Sequence, residues 1–105
     1  MAEYRLVSRS HKENPTVIRL GDESIGAEEL CIIAGPCAVE TEEQIFQIAK
    51  NISDLGIKFI RGGAYKPRTS PYSFQGLKKE GLNLLGKVSR EFGLKVVTEV
   101  MDTSL

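Results

Sequence analysis

The chain has 105 residues, enough for one small domain with a core of modest size. Fourteen basic residues balance fourteen acidic ones, so no general electrostatic attraction to nucleic acid or to a membrane is expected. Any anion that the protein binds must therefore be held by a local cluster of cations. No apolar run approaches the roughly 18 residues that span a bilayer, and the polar N-terminus lacks the apolar core of a signal peptide, so we expect a cytoplasmic protein.

The first 29 residues are predicted to form an irregular lead-in followed by a small hairpin. Short strand candidates occur at residues 16–20 (TVIRL) and 24–26, with a turn signal at Gly21 and Asp22 between them. The rest of the chain, residues 30–105, is predicted to be the first part of a larger α/β domain.

From residue 30 onward, strand and helix patterns alternate. Residues 30–34 (LCIIA) form a continuous apolar run, typical of a strand buried on both faces of a parallel sheet. Thr41 and Gln44 then fit a capping box, in which each side chain accepts a hydrogen bond from a backbone amide at the helix start. Apolar residues recur behind it at helical spacing up to a terminal glycine: Ile45, Ile48, Ala49, Ile52, Leu55 and Gly56.

The same pattern then repeats. Residues 57–60 (IKFI) are the next candidate for a buried strand, and residues 95–100 (KVVTEV) are the third. Between them, an apolar face that ends at a glycine predicts a second helix: Leu77, Gly81, Leu84, Leu85, Val88, Phe92 and Gly93. This order predicts a parallel sheet covered by helices, with ligands bound beyond the carboxyl ends of the strands.

A cationic loop follows the second of these strands. Three cations lie within eight residues: Arg61, Lys66 and Arg68. The planar guanidinium of Arg can bind phosphate or carboxylate through two hydrogen bonds. Gly62 and Gly63 are expected to allow close backbone approach or positive φ. Hydroxyl donors and stiffening prolines share the loop: Pro67, Thr69, Ser70 and Pro71. A solvated surface turn is the alternative, but the position at a strand end and the paired prolines favour an anion site.

The two cysteines, Cys31 and Cys37, are too few and too close in sequence for a secreted disulfide framework. Cys31 falls inside the first apolar run and is expected to lie in the core. Cys37 follows that run, where a thiolate could bind a divalent metal, although a small buried side chain is the commoner role of a lone cysteine. The single histidine, His11, is interpreted as solvated.

Acidic residues flank the end of the third strand. Both Glu99 and Asp102 could reach the same rim of the sheet as Cys37 and Arg61, because the carboxyl ends of parallel strands meet at one edge. A local cap or turn is the commoner role for an acidic residue at such a position. The rim is nevertheless where the sequence concentrates its reactive residue types.

Three motifs together resemble 3-deoxy-D-arabino-heptulosonate 7-phosphate (DAHP) synthase in its shorter microbial form. They are IAGPC at residues 33–37, RGGAYKPRTSPYSFQG at residues 61–76 and TEVMD at residues 98–102. The resemblance extends from about residue 16 to the last residue. A sister enzyme makes 3-deoxy-manno-octulosonate 8-phosphate and shares the Gly-Pro-Cys turn. It carries an Asn-containing sequence in place of KPRT and is the alternative within the same group.

The resemblance implies a (β/α)8 TIM barrel, of which this chain would cover an N-terminal hairpin and about the first three β/α strands. It implies a transferase of the shikimate pathway, which condenses phosphoenolpyruvate with erythrose 4-phosphate to DAHP and phosphate for aromatic amino acid biosynthesis. The intact enzyme is expected to be a homo-oligomer that binds neither nucleic acid nor a membrane.

The matching motifs also imply individual roles. Cys37 would be a ligand of an essential divalent metal ion (Mn, Fe, Zn or Co), and Glu99 would lie near the reacting carbon. Arg61 and Lys66 would bind phosphoenolpyruvate, with Lys66 catalytic at the junction of both substrates. The erythrose 4-phosphate would be held by the loop residues Lys66, Pro67, Arg68 and Thr69, and Ser70 is included among the substrate-binding residues.

The family's other metal ligands, a histidine, a glutamate and an aspartate, come from later strands, so the chain alone is predicted to be inactive. Larger relatives carry a regulatory domain ahead of the barrel, and we expect none before Met1 here. Two alternatives come from other classes. One is a non-catalytic phosphate-binding α/β module, and the other is an open α/β interaction domain whose strand edges pair with another chain.

Overall fold

The structure is a computed structural model, and it describes residues 8–10, 13–64 and 79–99. Contacts divide the chain into two compact units, Met1–Cys31 and Ile32–Leu105. Several positions singled out in the sequence lie outside the described residues: His11, Lys66, Pro67, Arg68, Thr69, Ser70, Pro71, Leu77 and Asp102.

The first unit contains the predicted hairpin. Strand β1 (Ile18–Leu20) pairs with β2 (Glu23–Ile25) in antiparallel register, with Ile18 opposite Ile25. The hairpin is confirmed, but β1 begins at Ile18, two residues later than the sequence pattern indicates.

The second unit is an α/β layer. Strands β3 (Ile33–Ala34), β4 (Phe59–Arg61) and β5 (Lys95–Val97) form a parallel sheet in the order β3-β4-β5. Helix α1 (Glu42–Asp54) connects β3 to β4, and helix α2 (Lys79–Phe92) lies between β4 and β5. The predicted parallel sheet is confirmed. Neither helix has the length and apolar character needed to cross a bilayer.

The core lies between the helices and one face of this sheet. Ile60, in the central strand, is fully buried, and its register partners Ala34 and Val96 pack against the same cluster. The members of the cluster come from both helices and the segments beside them: Val39, Ile45, Ala49, Ile52, Ile60, Leu84, Leu85, Val88 and Leu94. Because successive strand residues point to opposite faces, Arg61 and its partner Val97 lie on the face away from the helices.

The first apolar run is less buried than its composition indicates. Only Ile33–Ala34 joins the sheet, while Leu30 is 88% exposed and Ile32 is 53% exposed. Cys31 is half-buried and precedes the strand, so the expected core position for this thiol is wrong. These residues stay partly or fully exposed because, among the described residues, β3 is an edge strand with one neighbouring strand, and helices cover one of its two faces.

Helix α1 begins at the predicted cap. The Thr41 hydroxyl accepts a hydrogen bond from the Gln44 amide at 3.0 Å, which confirms one half of the capping box. The other half differs, because the Gln44 side chain reaches further back than the cap residue. Its Oε1 accepts from the Glu40 amide at 2.8 Å, and its Nε2 donates to the Ala38 carbonyl at 3.1 Å. Gln44 therefore attaches the segment that follows Cys37 to the start of α1.

Both helices end at the predicted glycines. Gly56 has a φ of 79° and Gly93 a φ of 66°, a region that glycine adopts more readily than any other residue. Leu55 was expected on the apolar face of α1 but is 76% exposed. It is the C-cap residue beyond Asp54, and the helical stripe stops before it.

Gly62 lies where the carboxyl end of β4 meets the core. A Cβ added there would lie 2.9 Å from Leu85 Cδ2 and 2.9 Å from Val39 Cγ2. Both side chains are almost fully buried, so we expect Gly62→Ala to lower the free energy of unfolding by about 1–3 kcal/mol through overpacking. Urea denaturation of the full-length protein measures this change.

Gly86→Ala is the matched control for that substitution. Gly86 lies inside α2, and the nearest atom to an added Cβ is the flexible Arg90 Nη1 at 3.4 Å. Replacing a helical glycine by alanine there is expected to raise stability by about 0.5–1 kcal/mol. Equal effects of the two substitutions would contradict the packing role of Gly62.

Candidate active site at the carboxyl ends of the strands

The turn after β3 contains an extra residue. Pairing of β3 with β4 matches Ala34 to Ile60 and then resumes as a bridge between Ala38 and Gly63. Between these two pairs, the chain advances four residues after β3, from 34 to 38, but three residues after β4, from 60 to 63. An insertion of this kind is a β-bulge, which redirects the side chains it carries. Cys37 lies in it and is exposed.

A close backbone contact joins the ends of β3 and β4. Gly35 has a φ of 148°, and a Cβ added to it would lie 2.1 Å from the Arg61 carbonyl oxygen. Beyond this contact, the Gly63 amide donates to the Cys37 carbonyl at 3.1 Å, and the Val39 amide donates to the Gly63 carbonyl at 2.9 Å. The turn that carries Cys37 is thus bonded to the strand end that carries Arg61.

A cleft of about 310 Å³ opens at the carboxyl ends of β4 and β5. Arg61 ends β4, and Glu99 follows β5 by two residues, so the cleft wall carries side chains of both charges. Ile33 and Val97 add an apolar part to the lining. The predicted site residues Arg61 and Glu99 are therefore brought together, although Glu99 stands 38 positions later in the sequence.

The backbone of the glycine pair is engaged within the protein. The Gly62 amide donates to the Val97 carbonyl at 3.2 Å, and the Gly63 amide donates to the Cys37 carbonyl at 3.1 Å. Neither Gly62 nor Gly63 has a positive φ, so of the two expected reasons for glycine here, positive φ does not apply. The close approach that Gly62 allows is to the core side chains Leu85 and Val39. An anion at this point of the cleft would consequently be bound by side chains, with Arg61 the cation of the described lining.

The described residues do not form a metal site by themselves. Within residues 8–10, 13–64 and 79–99, no three His, Cys, Asp or Glu side chains are grouped so that they could hold a metal ion. Cys37 offers one thiol, whereas a protein metal site of this donor type needs three or four ligands. The role of Cys37 as one ligand among several stays a prediction.

Two residues that shape the rim were not singled out in the sequence for their own roles. Gly35 permits the contact between strand ends, and Thr98 donates its hydroxyl to the Gly62 carbonyl at 2.7 Å. A glycine directly after an apolar strand is a signal that could have pointed to the first. Nothing local identifies the second, because the bond joins residues 36 positions apart.

Helices on one face of a parallel sheet and a charged cleft at the carboxyl ends of its strands define a class of protein. This is the arrangement of α/β enzymes, which bind small ligands at that end of the sheet. Among the described residues that line the cleft, two side chains are charged, and Arg61 is the residue type suited to phosphate or carboxylate.

Comparison with known proteins identifies the family. The sequence model of the DAHP synthetase I family matches residues 8–105, and the chain belongs to this family. It is 53% identical over 98 residues to phospho-2-dehydro-3-deoxyheptonate aldolase of Thermotoga maritima, covering 93% of this chain and 29% of that protein. It is also 45% identical over 76 residues to 2-dehydro-3-deoxyphosphooctonate aldolase of Vesicomyosocius okutanii, covering 66% of this chain and 27% of that protein.

Solved structures agree with the sequence comparison. The crystal structure of the Thermotoga maritima DAHP synthase superposes with a TM-score of 0.80 at 49% identity, covering 99% of this chain and 30% of that one. A truncated form of the same organism's enzyme gives a TM-score of 0.71 at 44% identity, covering 94% of this chain and 35% of that one. The resemblance read from the three motifs is confirmed. The chain spans about a third or less of the length of these relatives.

Substitution of Arg61 tests whether the cleft binds an anion. Arg61 is exposed at the end of β4, so Arg61→Ala should leave the unfolding transition unchanged. Loss of a charge-assisted contact should weaken the binding of inorganic phosphate, used as the anionic probe, by about tenfold to a hundredfold in titration calorimetry on the full-length protein. Arg61→Lys, the matched control, keeps the charge without the planar fork and should give an intermediate affinity. Equal affinities of the unsubstituted protein, Arg61→Ala and Arg61→Lys would contradict the role of Arg61 in anion binding.

Proposed function

We propose that the full-length protein is a DAHP synthase, which condenses phosphoenolpyruvate with erythrose 4-phosphate, and that this chain supplies the first part of its (β/α)8 barrel. The family match across residues 8–105 supports the activity, and the parallel order β3-β4-β5 supports the barrel. The observation that carries the proposal is the position of Arg61, the first cation of the family motif, on the wall of a cleft at the carboxyl end of the central strand.

The proposed chemistry has an electrostatic requirement. Both substrates carry phosphate groups, and their mutual repulsion must be offset by fixed cations before they can react. Arg61 would bind an anionic group of phosphoenolpyruvate from the cleft wall. Lys66 would contact both substrates, and the erythrose 4-phosphate would be held by its neighbours in the loop: Pro67, Arg68, Thr69 and Ser70. Two prolines in that loop reduce the entropy lost when it closes on the ligand.

The reaction then proceeds by forming one carbon–carbon bond and releasing phosphate. The enol carbon of phosphoenolpyruvate attacks the aldehyde carbon of erythrose 4-phosphate, and the aldehyde oxygen takes up a proton to become a hydroxyl. Water adds to the cationic carbon that remains and loses a proton, which balances the proton taken up by the aldehyde oxygen. The resulting hemiketal phosphate collapses to a ketone as its C–O bond to the phosphorus-bearing oxygen breaks, and the hydroxyl proton leaves with inorganic phosphate. We propose that Glu99, which lines the same cleft as Arg61, orients this water.

A divalent ion such as Mn, Fe, Zn or Co supplies Lewis acidity in chemistry of this kind when it is bound. Cys37 is proposed as one of its ligands, with the others contributed from outside this chain. The described residues contain no complete donor group, and the chain spans 29% of its Thermotoga relative. Both observations support the further proposal that these 105 residues have no turnover alone. A cytoplasmic homo-oligomer is proposed for the full-length protein on the resemblance alone.

The octulosonate enzyme is the second candidate, because several proteins of that name are 33–45% identical to this chain. The loop distinguishes the two candidates. The sequence KPRT at residues 66–69 is the form expected of the heptulosonate enzyme, and the sister enzyme has an Asn-containing sequence there. The loop therefore favours a four-carbon over a five-carbon aldose phosphate.

Substrate choice tests the proposed function. With phosphoenolpyruvate present, we expect the full-length protein to use erythrose 4-phosphate with a kcat/KM at least about a hundredfold above that for arabinose 5-phosphate. The assay measures phosphate release, and mass spectrometry identifies a seven-carbon product. A preference for the five-carbon sugar would assign the protein to the sister activity, and no phosphate release with either sugar would rule out both.

The two cysteines offer a matched test of metal binding. Cys37→Ser in the full-length protein is expected to lower the bound divalent metal to background in elemental analysis, because a hydroxyl is a poor substitute for a thiolate ligand. Cys31→Ser, at a half-buried position before β3, should retain the metal of the unsubstituted protein. Equal metal content in the two variants would contradict ligation by Cys37.

A further inference from the structure

The Thr98 side chain extends the pairing between β4 and β5 past the end of β5. The last backbone bond of this pair joins the Gly62 amide to the Val97 carbonyl at 3.2 Å. One residue further on, the Thr98 hydroxyl donates to the Gly62 carbonyl at 2.7 Å. Thus both polar groups of Gly62 are bonded to the end of β5, and a side chain makes the second of these bonds.

The carbonyl that Thr98 holds belongs to Gly62, the residue that follows Arg61 in the chain. On the other side of the same strand, the Arg61 carbonyl is in close contact with Gly35, and the Gly63 amide is bonded to the Cys37 carbonyl. The segment from Arg61 to Gly63 is therefore attached to both neighbouring strands at the level of the cleft. Thr98 also lines this cleft, together with Arg61.

Because two successive glycines, Gly62 and Gly63, follow Arg61, this strand end needs bonds to its neighbours to keep a fixed conformation. Glycine has the largest backbone freedom of any residue, so a strand end of this composition would sample many orientations without fixed partners. An arginine that is held in place before its ligand arrives loses less conformational entropy on binding than one on a mobile segment. The hydroxyl of Thr98 supplies one of the bonds that restrict this motion.

We infer that Thr98 is a positioning residue, whose hydroxyl holds the Gly62 peptide so that Arg61 is set at the cleft wall before the anion binds. This inference rests on the proposed function, since phosphoenolpyruvate is taken as the anion. Thr98 acts through Gly62 and Arg61 and has no direct part in the reaction.

Two substitutions in the full-length protein separate the hydroxyl from the shape of the side chain. Thr98→Val keeps the branched shape and removes the donor, whereas Thr98→Ser keeps the donor and removes a methyl group. We expect the Kd for phosphoenolpyruvate to rise about five- to tenfold in Thr98→Val and less than about twofold in Thr98→Ser. Hydrogen exchange at the Gly62 and Gly63 amides should accelerate in the valine variant alone.

The outcomes distinguish positioning from general stabilisation. A purely structural role would lower the fraction of folded protein and leave the Kd of the folded fraction unchanged, and that result would overturn the inference. Equal Kd values for the valine and serine variants would overturn it as well. Thr98→Ala is the second hydroxyl-free variant, used if Thr98→Val loses its cooperative unfolding transition, and the same rise in Kd is expected of it.

Hydrogen exchange keeps this inference separate from the proposed function. If the unsubstituted protein does not bind phosphoenolpyruvate, the proposed function fails. Exchange at Gly62 and Gly63 still decides the role of Thr98, because it needs no ligand. Unchanged protection of these amides in the hydroxyl-free variant would contradict the positioning role, and faster exchange rescued by serine would support it.

Discussion

The contact of Gly35 with the Arg61 carbonyl is the constraint on which the rim of the sheet depends. Any side chain at position 35 would separate the two strand ends, because its Cβ would overlap the carbonyl oxygen. With glycine there, the bulge after β3 stays bonded to Gly63, and the turn that bears Cys37 lies alongside the strand end that bears Arg61. Strand β5 joins in parallel register and adds Thr98 and Glu99 to the same rim.

In the central strand β4, successive side chains alternate between the core, where they affect stability, and the cleft, where they can affect ligand binding. Ile60 faces the helices and belongs to the core cluster, whereas the next residue, Arg61, faces the cleft. Gly62 then returns to the core side, where Leu85 and Val39 leave no room for a Cβ. A change on the helix-facing side should therefore alter the free energy of unfolding, and a change on the opposite side should alter affinity for a ligand.

Features with a local cause could be predicted from the sequence. The Thr41 cap and the terminal glycines follow from turn chemistry within a few residues, and the parallel pairing follows from the alternation of strand and helix patterns along the chain. Burial of Leu30 and Cys31 could not be predicted, since it depends on whether other layers cover β3. In the site, the rule for strand ends anticipated that Arg61 and Glu99 share a rim. The bond from Thr98 to Gly62 was missed because it links distant segments, and residues 66–70, outside the described ranges, stay predictions from the resemblance.

The central claim is that the parallel strand ends hold Arg61 where it can bind a phosphorylated substrate. A crystal structure of the full-length protein with phosphoenolpyruvate bound is the most direct measurement of it. We expect a phosphate or carboxylate oxygen of the ligand to lie about 3 Å from the Arg61 guanidinium, within the cleft at the ends of β4 and β5. Phosphoenolpyruvate bound elsewhere, with the Arg61 side chain directed into solvent, would contradict the account.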